Sequence, residues 1–308
     1  MATPSLAQVR AFVAVADALH FGTAASRLGI SQPALSAALA SLESLLGVQL
    51  VERTTRRVLL TPEGDALLPR ARSVAEAVDG LVDAAAGQQA LAGRLRIGVI
   101  PTVAPYLLPS LIRRIRRDLP DLVPEVREEQ TARLIDDLSA ARLDVAIIAL
   151  PAGVAGLHEI PIYDEGFVLV VPTGHRYAGS TNLSPASLGG QNLLLLDEGH
   201  CLRDQVLELC RSAAVDGATS SAARTTSLAT VVQLVSSGLG TTLLPETALA
   251  AESRRGALAV ARFTDPAPGR RIGLVYRASS ARGAAYAELA NVVRQAARRL
   301  PVTTLDQP

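Results

Sequence analysis

The residues of this chain best suited to chemistry are two cysteines, Cys201 and Cys210, nine positions apart in Gly199-His200-Cys201-Leu202-Arg203-Asp204-Gln205-Val206-Leu207-Glu208-Leu209-Cys210. An apolar run, Asn192 to Leu196, precedes them, followed by the turn-like Asp197-Glu198-Gly199. That pattern predicts strand, loop and helix. Cys201 then falls in the first helical turn, where unpaired N–H groups and the positive end of the dipole favour a thiolate. His200 and Arg203 add donors, while Asp197, Glu198 and Asp204 oppose them in charge. If Cys201 to Cys210 is one helix, the sulfurs lie roughly 13 Å apart along its axis, at about 1.5 Å per residue. A disulfide needs Cα atoms within about 7 Å, so the pair closes only if the helix unwinds, which suits a redox switch. The plain alternative is an inert buried thiol, which fits Cys210 better than Cys201. Zinc is disfavoured, with no further cysteine and only four histidines. No metal or other cofactor is expected.

Composition narrows the function classes. The 308 residues suggest two or three domains. Hydrophobic content of 49% allows large cores, and the 3% aromatic content argues against stacking on exposed bases. All 30 basic residues are arginine, so phosphate contacts must come from Arg, backbone N–H or polar side chains. A net charge of +1 provides no global field for nucleic acid. Met1-Ala2-Thr3-Pro4-Ser5 carries no basic leader pattern, and no apolar run reaches spanning length. The expectation is a soluble, cytoplasmic protein with no membrane partner.

The elements around the cysteines follow from local patterns. Ser5 to Ala18 reads as a helix with Leu6, Val9, Phe12, Val13 and Ala16 on one face. A short helix follows, with Thr23 as its cap and Gly29 as its end. Ser31 caps the next, with Pro33 in its first turn, and it runs to Leu46 before Gly47. This is a helix-turn-helix, the second helix reading DNA. Two β-like runs between Val48 and Gly64 then flank a basic tip, a wing whose Arg53, Arg56 and Arg57 meet phosphates or a minor groove. From Pro62 to Ala86 a long helix carries Leu67, Ala71, Val74, Val78, Leu81 and Ala85 at alternating steps of four and three, a pairing seam. Gly87-Gln88-Gln89-Ala90 reads as a hinge. Beyond Gly93, strands and helices alternate: strands at 95–100, 124–128, 144–150, 167–171, 193–196, 241–244 and 271–276, helices at 106–118, 132–141, 229–237 and 281–300. That is a doubly wound α/β pattern, whose ligands sit in the cleft at strand ends.

Together Ala24-Ala25-x-x-Leu28, Ser31-Gln32-Pro33-Ala34-Leu35-Ser36, Leu42-Glu43-x-x-Leu46-Gly47, Glu52-Arg53 and Leu60-Thr61-Pro62-Glu63-Gly64 resemble the winged helix-turn-helix of LysR-type transcriptional regulators. The chain departs from them at Ala38, Ala40 and Ser41, where relatives often carry basic or amide side chains. The resemblance implies an α/β protein with an N-terminal winged helix-turn-helix, a long linker helix and a two-lobed, periplasmic-binding-protein-like effector domain. Expected bounds are 1–61 for DNA binding, 62–90 for the linker, and 91–308 for the regulatory domain. Its lobe I spans 94–164 plus 269–301, and lobe II 165–268. DNA contacts are expected at Ser31, Gln32, Pro33, Ala34, Ser36, Arg53, Arg56 and Arg57.

Gly199 to Gln205 with Cys210, Ile100-Pro101-Thr102-Val103-x-Pro105-Tyr106, Thr226-Ser227-Leu228, Thr242-Leu243-Leu244-Pro245 and Ile272 to Arg277 are similar to the peroxide-sensing members of that family. That likeness implies a peroxidatic Cys201 and a resolving Cys210. Thr102 and Thr131 would hold hydrogen peroxide by their hydroxyls, with His200, Arg203 and Asp204 close by. Arg270, with Arg271 beside it, would support the thiolate. Helix capping by the threonines and a backbone bond for His200 are the alternatives. Implied partners are a double-stranded DNA operator, hydrogen peroxide, RNA polymerase, a thioredoxin- or glutaredoxin-type reductant and further copies of the chain, as homodimer or homotetramer. The competing functions are a metabolite-responsive LysR-type regulator with incidental cysteines and a thiol peroxidase; the DNA-binding half argues against an enzyme.

Overall fold

A computed structural model describes residues 3–53, 58–85, 91–213, 219–220, 225–253 and 257–305. The chain divides into two units: residues 1–90 with 139–142 and 278–283, and the remainder.

The first unit begins with α1 (Leu6–Ala18), capped by Ser5 in a reciprocal capping box with Gln8. The helix α2 (Phe21–Leu28) starts earlier than expected. Its cap is not Thr23 but His20, whose ring nitrogen accepts the Thr23 N–H at 3.2 Å. An imidazole nitrogen can serve as the accepting group, and the usual list of capping residues omits it. Gly29 ends the helix at φ 66°. In α3 (Gln32–Leu46) Ser31 accepts the Ala34 N–H, Pro33 occupies the first turn, and Gly47 terminates at φ 71°. Leu35, Leu39 and Leu42 of α3 pack on Phe12 and Val15 of α1 and on Leu50. The strands β1 (Val51–Arg53) and β2 (Val58–Leu60) form an antiparallel hairpin. The side chain of Arg53 and all of Arg56 and Arg57 lie outside the described residues, as does the expected hinge at 87–90. The long helix α4 (Pro62–Ala85) is tied to α1 by the ion pairs Arg10–Asp79 and Arg72–Asp17. Its seam residues Val74 and Leu81 are 48% and 69% exposed.

The second unit is a mixed sheet in the order β10-β6-β11-β5-β3-β4. Parallel β3 (Gly93–Val99), β4 (Leu122–Glu128) and β5 (Val145–Leu150) are joined by α5 (Ala104–Asp118) and α6 (Thr131–Ser139). Apolar residues of these strands, including Leu95, Ile97 and Ile147, form a first core with Leu107 and Leu111 of α5.

The strand β6 (Leu157–Pro172) organises the rest. The expected strand was only 167–171. His158, Glu159, Pro161 and Gly166 interrupt the apolar run and hide the earlier half, which pairing with β11 (Gly269–Arg277) holds extended. Ile162 and Tyr163 of β6 belong to the first core; Phe167 to Val171 belong to a second. Around that second core stand a short 3₁₀ turn at Pro185–Leu188, β7 (Asn192–Leu193), α7 (Cys201–Ser212), β8 (Thr219–Ser220), α8 (Leu228–Ser236), β9 (Thr242–Pro245), α9 (Glu246–Glu252) and β10 (Leu258–Arg262). The expected strand at 193–196 is regular only at Asn192–Leu193. Single bridges replace it, Leu193 to Thr241 and Leu196 to Thr225. Burial of all four leucines produced the apolar signal that reads as a strand. The helix α10 (Gly283–Ala297) covers the first core, and β12 (Thr303–Thr304) pairs with Asp164 and Tyr163 of β6. Among the described residues no helix is long and apolar enough to cross a membrane.

Candidate functional site

Both thiols are free and stand at opposite ends of α7, in different surroundings. Cys201 is the first residue of the helix, half-buried and packed against the first core. At a helix N-terminus the unpaired first-turn N–H groups favour negative charge on such a sulfur. Cys210 is 7% exposed within the second core. Burial pushes its thiol pKa up, so it is held protonated. The helix separates the two by about 13 Å of rise.

Ile100, Pro101, Thr102, Gln130, Thr131, His200 and Cys201 line a tight recess that, as it stands, has no room for a free water molecule. Thr102 lies in the turn from β3 to α5. It does not cap α5, whose cap position is Val103. Instead its hydroxyl oxygen accepts the Arg270 Nη1–H at 2.8 Å, and its carbonyl accepts Nη2–H at 3.1 Å. Accepting from Arg270 leaves the hydroxyl hydrogen of Thr102 available as a donor. Thr131 opens α6, and its buried Oγ1 has no hydrogen-bond partner among the described residues. The same holds for His200 Nε2, on a residue only 4% exposed. Burial lowers the His200 pKa against the pull of Asp197, which favours the neutral ring. Buried polar atoms are nearly always paired, so two orphans lining one recess set it apart from an ordinary packed corner.

The two arginines separate cleanly. Adjacent strand residues face opposite sides. Arg270 points inward, 6% exposed, beside Thr102, and attracts a charge on Cys201. Arg271 points outward and pairs with Asp164 at 2.7 Å. The recess does not include Arg203, whose Nη1 donates to the Leu196 carbonyl at 3.2 Å, nor Asp204, which is exposed. Sequence reasoning missed Gln130, whose Nε2 donates to the Glu198 carbonyl at 3.2 Å, fixing the loop before Cys201. Gly199 makes that approach possible: it sits at φ +90°, and a Cβ there would come within 2.5 Å of Gln130 Oε1. Also missed were Glu165 and Thr247, behind Arg270.

A larger, open cavity of about 550 Å³ is lined by Leu150, Glu159, Pro161, Asp164, Arg270 and Arg271 among others. At the helix-turn-helix, Ser31, Gln32, Pro33 and Ala34 are exposed and Ser36 is half-buried. The Ser31 hydroxyl is occupied in capping α3.

Comparison with known proteins extends these observations. Residues 6–65 match the model for bacterial regulatory helix-turn-helix proteins of the lysR family, and 88–298 match the LysR substrate binding domain. A probable hydrogen peroxide-inducible genes activator from Streptomyces viridosporus is 54% identical, covering 97% of this chain and 96% of its own. The DNA-binding transcriptional dual regulator OxyR of Escherichia coli K12 is 40% identical, over 92% of both. A full-length OxyR variant from Pseudomonas aeruginosa, 36% identical, superposes over 100% of both chains with a TM-score of 0.86.

Proposed function

The chain belongs to the LysR family of bacterial helix-turn-helix regulators, and we propose that it senses hydrogen peroxide through Cys201 and is switched by a Cys201–Cys210 disulfide. It is a DNA-binding transcriptional regulator of the OxyR type, not an enzyme. The observation that carries the reading is the recess: a thiol at a helix N-terminus facing two unpartnered polar atoms, Thr131 Oγ1 and His200 Nε2. The recess is closed in this structure, so peroxide enters by a small outward shift of the side chains that line it.

In this mechanism the Cys201 thiolate attacks one peroxide oxygen. An S–O bond forms, the O–O bond breaks, and the departing hydroxide takes a proton and leaves as water. Thr102, Thr131 and His200 orient the peroxide and meet the developing charge, while Arg270 supports the thiolate. The sulfenic acid is larger and more polar than the thiol. Opening of α7 lets the Cys210 thiol attack that sulfur, forming S–S and releasing a second water. One peroxide thus becomes two waters as two thiols become a disulfide. A cellular dithiol reductant reverses the step. The closed loop cannot be helical, so the second lobe repacks and re-aims the paired chains on their operator.

Gln32 and its exposed neighbours at the start of α3 would meet base edges, with Arg53, Arg56 and Arg57 on phosphates. The exposed Val74 and Leu81 of α4 support a seam between two copies; a Leu81→Asp chain that sediments as the parent does would overturn it. Contact with RNA polymerase belongs to the same reading.

Non-reducing mass spectrometry before and after one equivalent of peroxide tests the switch. The expected product is two hydrogens lighter, with the cross-link between Cys201 and Cys210. An unchanged mass would overturn the reading. The open cavity beside Arg271 favours the second reading, a regulator of the same family with a metabolite ligand. A Cys201→Ser chain that still changes its DNA footprint with its inducer would favour it.

A further inference from the structure

Behind the recess lies a buried pair that touches none of its space. We propose that Glu165, held by Thr247, is a positioning residue of the thiol site: it acts through Arg270 to fix the Thr102 hydroxyl and the field at Cys201. The proposal rests on Cys201 being the peroxide-reacting thiol.

Arg270 and Glu165 are direct cross-strand partners on β11 and β6. Arg270 Nε donates to Glu165 Oε1 at 2.7 Å, and Thr247 Oγ1 donates to Glu165 Oε2 at 2.6 Å. Both carboxylate oxygens are therefore occupied, and the guanidinium turns its remaining edge to Thr102. The two charged side chains are 1% and 0% exposed. For stability alone a buried ion pair is a poor device, since an apolar pair of equal volume serves as well or better. What it supplies is direction: a planar donor fork cannot rotate once two of its sides are bonded.

The chain path strengthens the argument. Thr102 follows β3 in the first core, Thr247 stands on α9 beside the second, and Arg270 and Glu165 join them across adjacent strands. Two segments distant in sequence thus bond one guanidinium beside Cys201, and a third, through Thr247, holds Glu165. Glu165 also sets its charge. With Glu165 ionised the pair is nearly neutral, and Cys201 sees the positive end of a dipole rather than an isolated cation. The other titratable groups around the site are Tyr163 behind the pair, His200 and Asp197 before α7, and Asp204 within its first turn.

Two substitutions separate orientation from charge. They are made in the full-length chain carrying Cys210→Ser, so that Cys201 alone reacts, and the peroxide reaction is followed by quenched thiol labelling against pH. Thr247→Val keeps the charge but frees the carboxylate. The high-pH plateau rate should fall about ten- to a hundredfold with the midpoint of the profile unmoved, and Thr247→Ser should restore it. Glu165→Gln removes the negative charge, so the midpoint should move to lower pH while the plateau falls. If the parent reacts no faster than free cysteine, the reading of Cys201 itself fails. If the parent reacts fast and both variants keep its plateau and midpoint, with or without a lowered melting temperature, Glu165 is structural only and the proposal is overturned. Should Glu165→Gln not fold, the Thr247 pair decides alone.

Discussion

The two ends of α7 carry the same functional group in opposite conditions. At the first turn, Cys201 meets helix N–H groups, Arg270 and a polar recess. About two and a half turns on, Cys210 meets the leucines and valines of the second core, and burial keeps it protonated. A thiol reacts as the thiolate, so reactivity is assigned by surroundings rather than residue type. In the proposed mechanism the first end reacts and the second waits.

The largest effect should come from exchanging the two thiols for serine. In Cys201→Ser, peroxide should leave the mass of the chain unchanged. In Cys210→Ser, the mass should rise by one oxygen and no cross-link should form. Equal oxidation of both variants on intact mass spectrometry would erase the difference between the ends.

Next in size is the anchoring of the waiting end. Leu202 is 3% exposed in the core that holds Cys210. Leu202→Ala should cost about 2–5 kcal/mol of stability by urea titration. It should also speed the cross-linking step after sulfenic acid forms, because α7 opens more often. Slower cross-linking would mean that opening of α7 is not the gate.

A smaller effect is expected at the reacting end from Gly199→Ala. The side chain would meet Gln130 at a φ of +90°. The strain should cost about 1–3 kcal/mol and slow sulfenic acid formation, while Cys210 in a denatured control reacts as before. An unchanged rate would separate the Gln130 contact from the site.

The smallest prediction concerns pH, and it has opposite signs at the two ends. His200 has its pKa lowered in the fold, so it favours folding while neutral. That contribution is present above the ordinary imidazole range, about pH 6.5, and is lost as pH falls below it. Cys210 has its pKa raised, so its contribution is present below the ordinary thiol range, about pH 8.5, and is lost as pH rises through it. Melting temperatures of the reduced chain should therefore fall on both sides. His200→Asn should flatten the acid side alone and Cys210→Ser the alkaline side alone.

The helix-turn-helix was legible because its signals are local. Gly29, Ser31 with Pro33, and Gly47 each act within four residues of the end they mark. The start of α7 was legible for the same reason. What escaped depends on partners far along the chain. Glu165 meets Arg270 across 105 positions, and Gln130 meets Glu198 across 68. Nothing within a short window distinguishes such an acid or amide from a solvated one. The choice between Arg270 and Arg271 needed the face of β11, which alternation leaves open until the sheet is assembled.

The shared strand β6 has a mechanical consequence. Its sixteen residues cross from one core into the other as a single strand, with one irregularity at Ile162 in its pairing with β11. Neither lobe can melt while its neighbour stays whole, because the same backbone closes both. Calorimetry of an isolated fragment of residues 91–308 should then give one endotherm, and the amides of Val168 to Val170 should be among the last to exchange with deuterated solvent. In the proposed switch, oxidation remodels what hangs from this axle and leaves the axle itself in place.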